Sequence, residues 1–490
     1  MRKYLRRTLQ IVAFVGTIII GIVALALIAS QTPWFRDWLR GFVVREANQY
    51  VNGNVSIGSL GGDLFYGIQL GDVSVDVNGE HIVTLKRVEV KYSIAELISK
   101  GITVRQIRLE QPFVLLRHDA SGWNLSNLVK KQQQEADRQG PGKPMTLPNI
   151  EIVDGRAQID DRAPSASYTL PKQISALNAR AAYAYEPVHY SLTLNQFSFT
   201  AVDPSLTVTD LTGRFGVRND DLHVEKVTLR TGDSTATIDG VVGNYLGDPT
   251  LAITFAAPRV SLPELSGVLP GLTGYALHPA IDLRADGKQS ALTLTVNEKF
   301  EAGNVSGRVI ADVLAPDYAA RGDVSVQNLN LAPVLKHAWD KSDITAHATI
   351  DVKVQAAPSS APAIDRIRGH VALDAPTVVA AGYRASNVKV TADANGRHIA
   401  LDGRASAYGG TATAKGTVVA PAATGQPIAF DVVGALSHVN LSRLPAALNA
   451  PRVATNVNVQ LYHVKGEAGG ATTTIDGDAT FGPSTIPGGT

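Results

Sequence analysis

A single long apolar segment near the N-terminus constrains this chain more than any other feature. No charged side chain occurs between Thr8 and Phe35, and residues 11–29 are almost wholly Ile, Val, Leu, Ala, Phe and Gly. About nineteen such residues make roughly 30 Å of helix, enough to cross the hydrocarbon of a bilayer. Four basic residues precede the segment: Arg2, Lys3, Arg6 and Arg7. Because positive charge stays in the cytoplasm, residues 1–30 are predicted to be a cytoplasmic basic stub and a transmembrane helix, with the body across the membrane.

The predicted membrane anchor includes two tryptophans that follow the apolar segment. A cleaved signal peptide is the alternative, but its apolar core is normally about 7–15 residues long. Apolar and aromatic residues recur every three or four positions through 31–50, which predicts an amphipathic helix lying at the membrane interface. The anchor residues are Ile11, Phe14, Ile18, Ile22, Leu25, Trp34 and Trp38.

Composition limits what the remaining residues can do. The chain has 490 residues, which predicts several domains or an elongated repeat, and 44 glycines, which together with abundant Val, Thr and Ala favour strands and turns. A net charge of +1 gives no electrostatic reason to expect nucleic acid. With no cysteine, disulfides and thiolate metal sites are excluded.

One pattern, apolar-x-apolar-x-x-apolar-x-apolar, recurs seven times. Each half alternates as a strand with one buried face does, and the extra residue would flip the second half to the other face. A β-bulge would absorb that residue, keep all four apolar side chains on one face and bend the strand. A tight hairpin at the x-x pair is the alternative, although most pairs lack Asn-Gly or Asp-Gly. The seven units begin at Ile68, Val83, Ile102, Leu222, Phe255, Val324 and Tyr383.

Other composition changes predict the organisation of the body. The polar, Gly- and Pro-bearing stretch 130–148 is predicted to be a linker between a β-module at 51–129 and a repetitive β-groove body at 149–490. Short Leu-rich segments after strands, as at 262–265, are predicted to be single helical turns. A strand every 12 residues or so would give roughly 35 strands. The loop-like composition of 482–490 leads us to expect a truncated end.

The N-terminal module resembles the AsmA-like superfamily, and most closely its TamB-like branch. The resemblance covers about 30–129 and rests on the ordered segments 60–70, 73–75, 88–93, 107–117 and 122–125. It implies an envelope protein anchored in the bacterial inner membrane, single-pass with a cytoplasmic N-terminus and a periplasmic body. It also implies an elongated, curled antiparallel sheet with a groove and few short helices, which handles phospholipid. TamB-like chains are longer and end in a domain that meets an outer-membrane partner, and no such end is visible here.

No pattern for catalysis survives inspection, so we expect no enzyme, cofactor or metal. The 11 histidines are scattered, and Asp160 and Asp161 are adjacent, so on a strand they would point to opposite faces. The main hypothesis is an apolar groove for phospholipid. The alternatives are a scaffold that adds strands to outer-membrane β-proteins and an adhesin with closed cores. The predicted groove lining is Val73, Val75, Val88, Val90, Val104, Leu109, Leu229 and Val326.

Overall fold

Strands account for 69% of the described structure, which confirms the prediction of a mainly β chain with antiparallel pairing and few short helices. The computed structural model describes residues 32–63, 66–92, 104–120, 122–130, 144–165, 167–187, 189–314, 317–335, 341–356, 363–380, 382–421, 426–445, 448–468 and 473–487. The predicted transmembrane helix therefore lies outside the described residues. Within them, no helix is both long and apolar enough to span a bilayer.

The chain divides into two compact units. The first comprises 1–219, 229–232 and 267–271, and the second comprises 220–228, 233–266 and 272–490. Helix α1 spans Pro33–Tyr50. The first strands are β1 (Asn54–Asp63), β2 (Gly67–Val77), β3 (Glu80–Tyr92), β4 (Val104–Glu110), β5 (Phe113–Asp119), β6 (Gly122–Trp123), β7 (Met145–Asp161), β8 (Gln173–Glu186), β9 (His189–Val202), β10 (Leu206–Arg218) and β11 (Asp221–Thr231).

The second unit continues with antiparallel strands and a few helical turns. Its strands are β12 (Thr235–Gly243), β13 (Thr250–Arg259), β14 (Ala280–Lys288), β15 (Leu292–Phe300), β16 (Gly303–Asp312), β17 (Tyr318–Leu329), β18 (Ser342–Val354), β19 (Ile367–Ala380), β20 (Tyr383–Asn395), β21 (His398–Ala407), β22 (Gly410–Val419), β23 (Ile428–Val439), β24 (Val457–Ala468) and β25 (Thr474–Phe481). Helices α2 (Leu262–Leu265) and α3 (Ala332–Leu335) are the predicted Leu-rich turns, and 3₁₀ turns span Asn124–Asn127, Pro270–Leu272, Gln289–Ala291, Ala363–Arg366 and Leu441–Arg443.

The described residues form 25 strands, fewer than the spacing of the apolar pattern predicts. Several strands are longer than the expected spacing of 12 residues, for example β7 with 17 residues and β8 with 14, so fewer strands fit into the chain. In β17, residues 327 and 328 together oppose Thr345, and in β20 residues 387 and 388 oppose Ala405. Bulges thus occur in the units that begin at Val324 and Tyr383, as predicted.

Bulges are stabilised by a recurring side-chain contact. A residue with positive φ leaves its backbone N–H outside the ladder, and a side-chain oxygen from the next strand accepts it. Asp154 (φ 52°) donates to Asn178 Oδ1 at 3.1 Å, and His438 (φ 61°) donates to Asn458 Oδ1 at 2.9 Å. The same device therefore serves both units.

The first unit departs from simple antiparallel order at β7. This strand pairs in parallel with β4 and β5, for example Leu109 opposite Ile152 and Leu116 opposite Ile159. It begins at Met145, so the last residues of the predicted linker 130–148 are strand. Strands on either side of that linker pair with each other, and the compact units divide near Asn219.

Candidate functional site

The two sides of the second unit's strands differ in chemistry from one end of the ladder to the other. We call one side the apolar face; each strand from β12 to β25 contributes a residue to its central row, and every neighbouring pair is in register. The row is Gly240, Ile253, Ala285, Leu294, Val309, Gly322, Ile350, Val371, Ala392, Leu401, Gly416, Val432, Val464 and Gly477. No member carries a polar side chain.

The polar face is the opposite side of the same strands, and it carries the residue next in sequence to each member of the apolar row. Its corresponding row is Asp239, Thr254, Arg284, Thr295, Arg308, Asp323, Thr349, Ala372, Thr391, Asp402, Lys415, Val433, His463 and Asp478. Cross-strand ion pairs join this face, including Lys415 Nζ to Asp402 Oδ2 at 3.4 Å. Opposite charges placed directly across a ladder stabilise the pairing of strands.

The apolar face is only partly shielded from water. In β16, β18 and β21, half-buried apolar positions alternate with exposed polar ones. Large side chains such as Ile350, Val371 and Leu401 are half-buried, and the fully buried apolar residues of this unit are mostly alanines. No second layer of described residues therefore seals this face as the core of a sandwich would be sealed.

Glycines on the apolar face let neighbouring backbones approach closely. A Cβ added to Gly322 would lie 2.1 Å from the carbonyl oxygen of Arg308, and one on Gly416 would lie 2.0 Å from that of Asp431. Neither space can hold a side chain. Glycine at such positions permits local bending of a strand and leaves the face lined by small and branched apolar groups.

The structure brings most of the predicted lining residues together in the first unit. Val88 and Leu109 are cross-strand neighbours, and the ladder continues from Leu109 to Ile152. Val90 faces Ile107 in the next row of the same ladder. The remaining pairs nearby are Val73 with Ile57 and Leu85, Val75 with Val55 and Val83, and Val104 with Tyr92.

Two predicted lining residues lie apart from this group. Leu229, in β11, is 37% exposed. Val326 lies in the second unit, on the apolar face, between Val305 and Ala346. The eight residues therefore do not form one site.

Helix α1 covers the segment that was predicted to be helical and carries the only two predicted anchor residues that the structure describes. Trp34 and Trp38 are 74% and 50% exposed, and Phe42 continues the same stripe. The ring centroids of Trp38 and Phe42 are 6.0 Å apart. On its other side α1 bonds to the edge of β1, where Arg40 Nη1 donates to the carbonyl of Gly58 at 2.7 Å. Ile11, Phe14, Ile18, Ile22 and Leu25 lie outside the described residues.

The two adjacent acids of β7, Asp160 and Asp161, each contact basic side chains. Asp160 accepts from Arg162 at 2.9 Å and from Arg117 at 3.2 Å, and these bonds, with that from Arg162 the strongest, lower the pKa of Asp160. The side chain of Asp161 contacts His118 Nδ1 at 2.9 Å. Across the described ranges, no group of three or more His, Cys, Asp or Glu side chains is arranged to hold a metal ion.

A shallow depression of about 500 Å³ lies on the polar face of β18–β22. Its charged groups contact one another, as in the 2.8 Å pair between Lys389 Nζ and Asp374 Oδ2. This arrangement is typical of a solvated, salt-bridged surface.

One polar residue on the apolar face was not identified from the sequence. Glu298 lies between Ile281 and Val305 in register, and burial raises the pKa of its carboxyl group. The alternation through 292–300 could have revealed it, because Glu298 has the same phase as Leu292, Leu294 and Val296.

Comparison with known proteins adds no identification. Neither protein-family models, nor curated proteins, nor solved structures give a match to this chain.

Proposed function

We propose that this protein is an inner-membrane-anchored periplasmic protein of the AsmA/TamB type, which offers an apolar β-groove for phospholipid transport and outer-membrane biogenesis. The observation that carries the proposal is the apolar face, unbroken in its central row across fourteen strands and lined by half-exposed Val, Leu and Ile. Contiguous exposed apolar surface of this kind usually marks a binding site for a protein or a lipid.

Acyl chains match this face better than a compact ligand does. Water is driven from apolar surface with a free energy of about 25 cal/mol per Å², so a long apolar strip favours a long apolar ligand. Phospholipid headgroups would remain in water beside the strip, because burying a charge without a partner is costly. Fourteen strands at about 4.8 Å each give a path of roughly 60 Å along the ladder, several acyl chains in length.

The N-terminal region supports a membrane location. The uncharged run from Thr8 to Phe35 leads directly into helix α1, which exposes Trp34 and Trp38. Exposed tryptophans next to an apolar segment are typical of the headgroup region of a bilayer. Single-pass anchoring in the inner membrane, with the body in the periplasm, would place the apolar face within reach of the lipid that it handles.

Adjacent residues on opposite faces provide the test. A photo-crosslinking amino acid at Val326 reports on the apolar face, and one at Ser325 reports on the polar face. In cells fed a labelled phospholipid, we expect lipid adducts at Val326 and none at Ser325. Equal labelling at both positions, or protein adducts alone at Val326, would contradict the proposal.

A scaffold for outer-membrane β-proteins is the second candidate, because β25 is exposed along its whole length. Ile475 and Phe481 are 67% and 65% exposed, and an exposed strand can pair with a strand of another protein. Crosslinkers at Asp476 and Asp478 would then give adducts with client proteins. Lipid adducts at Val326 without client adducts at β25 would favour the groove.

A further inference from the structure

Glu298 is the single charged side chain on the apolar face of the described strands β14–β25. Among the Asp, Glu, Lys and Arg residues within strands β14–β25, it alone has a ladder position on that face. Its cross-strand row is Ile281, Glu298, Val305, Val326 and Ala346. The two strands that flank it therefore present only aliphatic side chains at its level.

No described residue neutralises this carboxylate. On its own strand the neighbours of the same phase are Val296 and Phe300, and Lys299 belongs to the polar face, opposite Asn304. Glu301, in the turn after β15, is occupied by His278, whose backbone N–H and Nδ1 each lie 3.0 Å from its carboxylate. No titratable group of β14, β15 or β16 thus faces Glu298 across the apolar face.

The position of Glu298 along its strand matters as much as its charge. Only two further in-register pairs, Lys299 with Asn304 and Phe300 with Gly303, separate it from the end of the β15–β16 hairpin, and only the second lies on the apolar face. A lipid whose chains lie along the apolar face would place its polar end near the ends of the strands, where water is available. Glu298 is therefore at the depth where an acyl chain gives way to a headgroup.

We propose that Glu298 selects lipids whose headgroup carries an ammonium group, by accepting a charge-assisted hydrogen bond from that group. This inference rests on the proposed function, which it deepens by naming the class of lipid. An isolated carboxylate repels a headgroup that is anionic overall, whereas an ammonium group supplies the partner that the protein leaves out. Covering the carboxylate with acyl chains alone would leave a buried, unpaired charge, so lipids without a donor are disfavoured.

The test uses the full-length protein with the photo-crosslinker at Val326, two strands from Glu298 in the same row. The protein is incubated with vesicles of equal parts phosphatidylethanolamine and phosphatidylglycerol, with the label in the acyl chains of one lipid at a time. We expect ethanolamine lipid to be captured about tenfold more often than glycerol lipid, the usual effect of a hydrogen bond to a charged group. The substitution Glu298→Gln should bring the ratio close to one while both lipids still crosslink.

A matched control is available on the opposite face. Glu467 is exposed in β24, opposite Ala429, and Glu467→Gln removes the same charge from the polar face. It should keep the wild-type ratio. If Glu298→Gln also keeps that ratio, or if wild type shows no preference, the inference fails while lipid binding stands. If neither lipid crosslinks at Val326 in wild type, the proposed function fails and the inference with it.

Discussion

The two units bury different kinds of residue, although both are built from the same antiparallel ladders. In the first unit the buried apolar positions are mainly large: Val55, Ile57, Leu60, Ile82, Leu115, Ile159, Val208 and Val217. In the second they are mainly alanines: Ala257, Ala285, Ala302, Ala311, Ala346 and Ala375. An alanine can be buried by the backbones around it, whereas a buried isoleucine needs other side chains above it.

This difference separates large side chains that are covered by other side chains from small ones that are covered mainly by backbone. Strand β1 has helix α1 along its edge, where the backbone N–H of Val55 donates to Asn48 Oδ1 at 2.7 Å. On the apolar face of the second unit, Ile350, Val371 and Leu401 are only half-buried. Alternating apolar and polar residues therefore bury large apolar side chains in one unit and, we propose, hold a ligand in the other.

The largest expected effect on stability comes from an aspartate at a buried apolar position of the first unit, compared with an aspartate on the apolar face of the second unit. Ile57→Asp should unfold the first unit, with a loss of about 3 kcal/mol or more, because the carboxylate is buried without a partner. Ile350→Asp, on the half-exposed apolar face, should cost far less because water reaches the charge. Urea unfolding followed by limited proteolysis of each unit measures both. Equal losses would mean that position 350 is shielded from water as completely as position 57.

A smaller effect is expected from the aromatic stripe of helix α1. The double substitution Trp34→Ala with Trp38→Ala should leave the fold intact, since both side chains are exposed. Two of the four tryptophans are then lost. Fluorescence quenching by brominated lipids in reconstituted protein should fall by about half or more. Unchanged quenching would show that this stripe does not lie in the headgroup region.

Both units contain the same bulge contact, in which an Asn side-chain oxygen accepts the backbone N–H of the residue with positive φ. Asn178→Ala removes a partly buried acceptor from the N–H of Asp154 and should cost about 1 kcal/mol. Asn458→Ala removes an exposed acceptor from His438 and should cost less, because water replaces it. Thermal unfolding of the two variants compares these costs, and the reverse order would contradict the explanation by solvent access.

The smallest effect concerns pH and Glu298. Burial raises the pKa of this carboxyl in the folded chain, so the folded state holds the proton more tightly than the unfolded state does. Stability contributed by the protonated group is complete below the ordinary carboxyl pKa and is lost as pH rises through the raised value. Glu298→Gln should therefore melt slightly higher than wild type at pH 7.5 and equally at pH 4. A lower melting point at pH 7.5 would indicate a stabilising partner for the carboxylate.

Much of the fold can be predicted from patterns within a few consecutive residues, because alternation and an extra residue act on the strand in which they occur. Alternation predicts the strands, and the extra residue in the units at Val324 and Tyr383 predicts their bulges. The bulges at Asp154 and His438 lie outside the seven units because Gly155 and Gly434 each take one of the four apolar positions of the pattern. The parallel pairing of β7 with β4 and β5 depends on contacts about forty residues apart, which periodicity does not encode.

The candidate site was predicted in kind but only partly in place. Seven of the eight lining residues lie in apolar ladders, because period two places them on one side of a strand. Leu229 is the exception, exposed in β11. Glu298 escaped notice because a single acidic residue near a strand end looks like an ordinary turn acid. Its place on the apolar face follows only from its register with Ile281 and Val305.

The ladder of the second unit also bears on how such a chain can be made. From β12 to β25 each strand pairs with the next strand in the sequence. Formation of each hairpin thus needs only a few tens of residues at a time, and loop closure that is local is fast. A chain that emerges gradually on one side of a membrane could zip up hairpin by hairpin as it appears. Synthesis and folding would then keep pace, and few unpaired strands would be left waiting to aggregate.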